Sequence, residues 1–187
     1  MRRRELLAGV ASVGALGAAG AIAIRGLPSP GGESGTANEG DGESREPIEI
    51  ETIDAPGSRE GTISLPSTGE PSFVDFFGTW CPPCEEQMPA LVEAHDRLGD
   101  EVRFVSVTTE DVGGAVSEEY VADWWAEHDG NWTVGVDSTA ELAARYLAGG
   151  YPSAVAIDAS GTVQWSESGV KTTDELVAGI ERALDDE

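Results

Sequence analysis

Phe73-Val74-Asp75-Phe76-Phe77-Gly78-Thr79-Trp80-Cys81-Pro82-Pro83-Cys84 is the stretch on which the reading of this chain turns. It holds both cysteines of a 187-residue sequence. A crosslink between such near neighbours closes too small a loop to stabilise a fold by much, because the entropic gain grows with loop length. The spacing suits a bond that is made and broken in service, so thiol chemistry is the first hypothesis. Upstream, Phe73 to Phe77 is a nearly continuous apolar run, as expected of a strand buried on both faces, with Asp75 the exception. Downstream, a helix is expected from Pro82 to Leu98, with Met88, Leu91, Val92 and His95 along one side.

Working outward, Ile48 to Ile53 and Thr62 to Leu65 alternate apolar and polar residues around Pro56-Gly57, which predicts a lead-in hairpin. Val102 to Val107 is the next strand, and the helix between it and Phe77 makes a right-handed β-α-β unit. Ser117 is placed to cap a helix to His128, and Trp132 to Val136 reads as a strand. Asp137 or Ser138 is expected to cap a helix to Leu147, stopped by Gly149-Gly150. Ala154 to Ile157 and Thr162 to Trp165 form a hairpin about Asp158-Ala159-Ser160-Gly161. Thr172 or Thr173 caps a last helix to Leu184. The pattern specifies an α/β domain, a central sheet with helices on both faces.

The first 25 residues read differently. Arg2-Arg3-Arg4 precedes an uncharged run from Leu6 to Ile24, and Arg3-Arg4-Glu5-Leu6-Leu7 resembles the core of a twin-arginine export signal. The run is just long enough to span a hydrocarbon core of about 30 Å as a helix. Basic residues ahead of it favour an N-terminus inside and a domain outside. Residues 1–25 are therefore expected to be an export signal or a membrane anchor, with cleavage left open. Residues 26–46, rich in Gly, Ser, Pro and Glu, read as a flexible linker, and 47–187 as one domain.

From Pro47 onward there are 29 acidic residues against 6 basic ones, and the whole chain carries a formal charge of −24. Such a surface repels phosphate backbones and argues against nucleic-acid partners. Acids spread along the entire domain, with Lys171 the only lysine, resemble the surfaces of proteins from very salty habitats, where self-repulsion is screened.

The order of strand, Trp-Cys-x-x-Cys, helix and strand, then an x-Pro step, a hairpin and a helix is similar to thioredoxin over most of Ile63 to Leu184. Its fingerprints are Val74-Asp75-Phe76 through Cys84, Pro89, and Gly150-Tyr151-Pro152-Ser153. The long segment between Thr108 and Pro152, the lead-in hairpin, Trp-Cys-Pro-Pro-Cys and the export signal resemble the TlpA/ResA branch of exported, membrane-tethered thioredoxin-like proteins. The resemblance implies a thioredoxin fold with an added N-terminal hairpin and an inserted helix–strand unit.

It also implies roles. Cys81, at the tip of the helix where free N–H groups and the macrodipole favour a thiolate, is expected to be the attacking and more exposed sulfur. Cys84, one turn on and buried, resolves the mixed disulfide. Pro82 and Pro83 offer no donor to the thiolate, and Glu85 and Glu86 do not favour it, so the pair leans toward a reductant. Asp75, costly to bury ionised, has a raised pKa and takes the proton of Cys84. Pro152 corresponds to the cis proline facing the disulfide, with Tyr151 beside it for strand-like docking. Trp80 and Pro82 are expected to line the same docking surface. Trp124, Trp125, Trp132 and Trp165 read as core packing, and His95 and His128 as helix-surface residues.

The function expected is an exported thiol–disulfide oxidoreductase reducing protein disulfides, fed by a membrane thiol donor. It needs no cofactor beyond its own Cys81–Cys84 disulfide and no metal, and is expected to be a monomer. The resemblance suggests apocytochrome c or copper-site proteins as clients. Two alternatives stay open: a dithiol oxidase or isomerase, and a copper metallochaperone using Cys81 and Cys84, although neither histidine lies near the hairpin.

Overall fold

The computed structural model describes residues 46–146 and 148–185. The expected signal at 1–25 and all of the expected linker except Glu46 lie outside these residues. Seven strands and four helices follow in the order β1 (Ile48–Thr52), β2 (Gly61–Leu65), β3 (Ser72–Phe77), α1 (Pro82–Leu98), β4 (Arg103–Thr108), α2 (Glu118–Glu127), β5 (Thr133–Val136), α3 (Glu141–Arg145), β6 (Ser153–Ile157), β7 (Val163–Ser168) and α4 (Thr173–Leu184). Among the described residues no helix is long and apolar enough to cross a membrane.

One mixed sheet runs β2-β1-β5-β4-β3-β6-β7. Strands β3 and β4 are parallel, with α1 as the crossover, and β5 extends them in parallel on the far side of β4. The remaining pairs are antiparallel, including β3 with β6 and the expected β1–β2 and β6–β7 hairpins. The α2–β5 unit is the insertion anticipated between Thr108 and Pro152. It widens the sheet, and β1 adds to its outer edge. Gly135 makes that join possible, since a Cβ there would lie 2.6 Å from Ile50 Cγ2.

Strand β3, between β4 and β6, is buried along its whole length. Side chains alternate across a sheet, so its residues divide between two cores. Phe73 and Phe77 join Cys81, Cys84, Met88 and Leu91 of the α1 face, with α2 and α4 completing that cover. Val74 and Phe76 turn to the opposite side, among Ile50, Leu65, Val105, Val107, Leu142 and Ile157. Burying each such side chain contributes about 1.5–3 kcal/mol. Asp75 shares the α1 face by the same alternation, level with Ser106 on β4 and Ala154 on β6.

The helix starts follow local chemistry. Pro82 opens α1, where a missing N–H costs nothing. Ser117 accepts from the Tyr120 N–H to cap α2, and Thr172 and Glu175 form a reciprocal capping box on α4. Helix α3 departs from expectation. It begins at Glu141, after Ala140 in a left-handed turn (φ 55°), not at Asp137 or Ser138. Asp137 still caps it from a distance: its Oδ1 accepts the Glu141 N–H at 3.0 Å and its Oδ2 the Ala143 N–H at 2.9 Å.

Candidate active site

Cys81 is the N-cap of α1, its backbone extended (φ −105°, ψ 99°), and its carbonyl accepts the Cys84 N–H at 2.9 Å and the Glu85 N–H at 3.3 Å. This sets Cys84 one turn along the helix, and the two sulfurs are joined in a disulfide. The turn before it is tight. The Cys81 N–H donates to the Gly78 carbonyl at 3.1 Å, and a Cβ on Gly78 would press to 3.0 Å of the Trp80 indole. A side chain there would push the indole ring aside.

The expected contrast between an exposed Cys81 and a buried Cys84 is not found. In the bridged state Cys81 is 4 % exposed and Cys84 2 %, both within the core under the α1 face. Around the buried pair Trp80 is 67 % exposed, and Pro82 and Pro83 are exposed. The disulfide is recessed.

Tyr151 forms the other lip. The Tyr151–Pro152 peptide bond is cis, as the resemblance implied. The Tyr151 ring meets Trp80 edge-on at 6.1 Å and packs partly buried against the core that contains Cys81. Pro152 is buried, and its carbonyl accepts the Gly169 N–H at 2.8 Å. Among the described residues the Tyr151 backbone makes no hydrogen bond. Beside Tyr151 an open hollow of about 400 Å³ is lined by Thr109, Ala140, Ala143, Ala144 and Gly149.

One segment after β4 holds both lips. Glu110 accepts the Thr79 N–H and the Thr79 hydroxyl, each at 2.8 Å, and the Thr108 hydroxyl at 3.0 Å. Its neighbour Thr109 shares a 2.6 Å hydrogen bond with the Tyr151 hydroxyl. Neither residue stood out in the sequence, because a threonine and a glutamate at a strand end carry no signature of what they reach.

Asp75 lies on the same face of the sheet as the cysteines and is 2 % exposed. Burial pushes its pKa up to about 7, with a hydrogen bond from Ser106 pulling the other way. Ser106 Oγ donates to Asp75 Oδ2 at 3.3 Å and accepts the Trp132 indole N–H at 3.0 Å. Lys171 is engaged elsewhere, through its ammonium to the Ser168 carbonyl at 2.7 Å, so the protein's one lysine does not pair with Asp75. Gln87, also buried, clamps α1 to the loop before α4: its Oε1 accepts the Lys171 N–H at 2.6 Å, and its Nε2 donates to the Lys171 carbonyl at 3.1 Å.

The histidines are not the surface residues expected. His95 is half-buried, its ring 5.1 Å from both Phe104 and Trp132, and burial lowers its pKa. His128 stacks on Trp124 at 4.2 Å and hydrogen-bonds its carbonyl through Nδ1. Each apolar helix face ends in an aromatic cluster, and an imidazole is flat enough to join it. The four tryptophans read as core are buried. No group of three or more metal-ligating side chains occurs among the described residues.

The Redoxin family model matches residues 53–184, so the chain belongs to the Redoxin family. With the fold and the disulfide at the tip of α1, this defines a thioredoxin-like thiol–disulfide oxidoreductase. Over 115 residues, 61 % of this chain, it is 25 % identical to the sporulation thiol-disulfide oxidoreductase A of Bacillus subtilis, covering 68 % of that protein. It is equally similar to the thiol-disulfide oxidoreductase ResA of Bacillus cereus, spanning 64 % of its length. Among solved structures, StoA from Bacillus subtilis superposes with a TM-score of 0.58 at 23 % identity, over 71 % of this chain and 94 % of that one. The exposed lipoprotein thioredoxin of Streptococcus pneumoniae does so at 0.60 and 23 % identity, over 72 % and 98 %.

Proposed function

We propose that this protein is an exported reductant of protein disulfides. The observation that carries the reading is the Cys81–Cys84 pair at the tip of α1 with a protonatable carboxyl, Asp75, on the same buried face of the sheet. In the reduced state the Cys81 thiolate, favoured by the helix N-terminus, attacks one sulfur of a client disulfide. The client's S–S bond breaks, its other sulfur leaves as a thiol after protonation, and Cys81 is joined to the client. Asp75 then takes the proton of Cys84, and the Cys84 thiolate attacks Cys81. The mixed disulfide breaks, the client's second thiol is released, and the protein keeps the oxidised bridge. Two electrons and two protons have passed to the client, and a membrane thiol donor restores the dithiol.

The client enters as an extended segment in the groove between Trp80 and Tyr151, pairing with the free Tyr151 backbone beside Pro152 while Pro82 borders the approach to Cys81. The twin-arginine-like start and the acid-rich composition support action outside the membrane at high salt, and proteins awaiting haem or copper are the client class the family resemblance favours. A Cys84→Ser variant expressed in the native cell is expected to accumulate covalent adducts through Cys81. If it captures nothing above a Cys81→Ser background, the client role is lost.

A further inference from the structure

We propose that Ser106 and Trp132 are positioning residues for the resolving step, holding Asp75 by one carboxyl oxygen so that the other exchanges the proton with Cys84. This rests on Asp75 being the proton acceptor. Ser106 sits level with Asp75 in the parallel β3–β4 register, and Trp132 lies one residue ahead of β5, which pairs with β4, so neighbouring parts of the sheet bring the three groups together. All three are buried, at 0 %, 2 % and 4 % exposure for Ser106, Asp75 and Trp132.

The chemistry of the three groups sets the direction. An indole N–H only donates, so Ser106 Oγ must spend one lone pair on Trp132. That leaves Ser106 one hydrogen and one lone pair for Asp75 Oδ2. With the exchanged proton carried on the other oxygen, the hydroxyl donates to Oδ2 whether Asp75 is ionised or protonated, so this contact survives both halves of the cycle. Trp132 is itself fixed, its ring packed against Trp125 at 4.8 Å, His95 at 5.1 Å and Phe104 at 6.0 Å. The contact steadies the anion that burial disfavours, and the carboxyl titrates lower than it would without the hydroxyl.

Few other groups could set this titration. The inward-facing residues of β6, α2 and α4 carry no charge, α1 contributes Cys84 and the half-buried His95, and His128 stacks at the end of α2. Glu110, past the end of β4, is occupied by Thr79 and Thr108.

The test follows the Asp75 carboxyl carbon by NMR across pH in the oxidised full chain, alongside the pH dependence of disulfide exchange. Ser106→Ala is expected to raise the Asp75 midpoint by about half a pH unit or more, the size of one hydrogen bond of roughly 1 kcal/mol. Trp132→Phe should move it the same way by less, and Ser106→Thr should restore it. A midpoint unmoved in a folded Ser106→Ala protein overturns the proposal, even if Asp75→Asn flattens the rate profile. Should the midpoint move while Asp75→Asn leaves the rate profile unchanged, the pair still positions the carboxyl, and it is the proton-acceptor role of Asp75 that falls.

Discussion

The two faces of the sheet use the same strands to different ends. Behind β3 the core is almost wholly apolar: Val74, Phe76, Val105, Val107, Val155 and Ile157 meet α3. In front, the alternate positions of the same strands carry Asp75 and Ser106 among aromatic rings, with the disulfide and Trp132 packed into the same layer. One residue of strand register separates scaffold from chemistry. A carboxyl one position earlier or later in β3 would face the other core, away from Ser106 and the disulfide.

The comparison breaks first at Phe76, which is fully buried on the aliphatic face. Phe76→Ala should cost about 3–5 kcal/mol in denaturant unfolding, while the pH midpoint of disulfide exchange stays where it was. A displaced midpoint would mean the faces are not separate.

Asp75→Asn acts on the other face and has a sign. The folded carboxyl titrates at about 7 against 3.8 in the free state, so the folded protein holds the proton across that window and the unfolded chain does not. Wild-type stability therefore falls as pH rises from about 4 to about 7, by up to roughly 4 kcal/mol for about three pK units. The Asn variant lacks that slope. It should match wild type near pH 4 and be more stable at pH 8, while its exchange slows above neutrality. Parallel melts at the two pH values decide it, and parallel slopes would place Asp75 outside the titrating site.

Gln87→Ala sharpens the contrast at smaller scale, since not every polar group on the front face serves the thiols. Loss of its two hydrogen bonds to the Lys171 backbone should cost about 1–2 kcal/mol in thermal unfolding. The rate–pH midpoint should hold. If it shifts, the loop before α4 takes part in the chemistry.

What could be read from the chain beforehand follows how local its causes are. Helix α1 was legible to both ends because Pro82 and Pro83 open it and Leu98-Gly99 closes it within the same stretch. The hairpins and the caps at Ser117 and Thr172 are likewise short-range. The start of α3 was misjudged because Asp137 caps it across an intervening left-handed turn. Ser106 gave a faint signal, a hydroxyl inside an otherwise apolar strand that needed a partner. Trp132 gave no sign of this contact: its indole nitrogen, just ahead of β5, finds Ser106 on the neighbouring strand β4, and no periodicity encodes that. The openness of Cys81 was misjudged for a related reason, since the ring beside Trp80 comes from Tyr151, 71 positions later.

The Thr109-Glu110 step, fastened to Tyr151 on one side and to the loop ahead of Cys81 on the other, works like a single hinge pin through two doors. On the proposed reading, a client entering beside Tyr151 loads the segment that also fixes the turn presenting the sulfur, so admitting a partner and aiming the bond that greets it are one mechanical event.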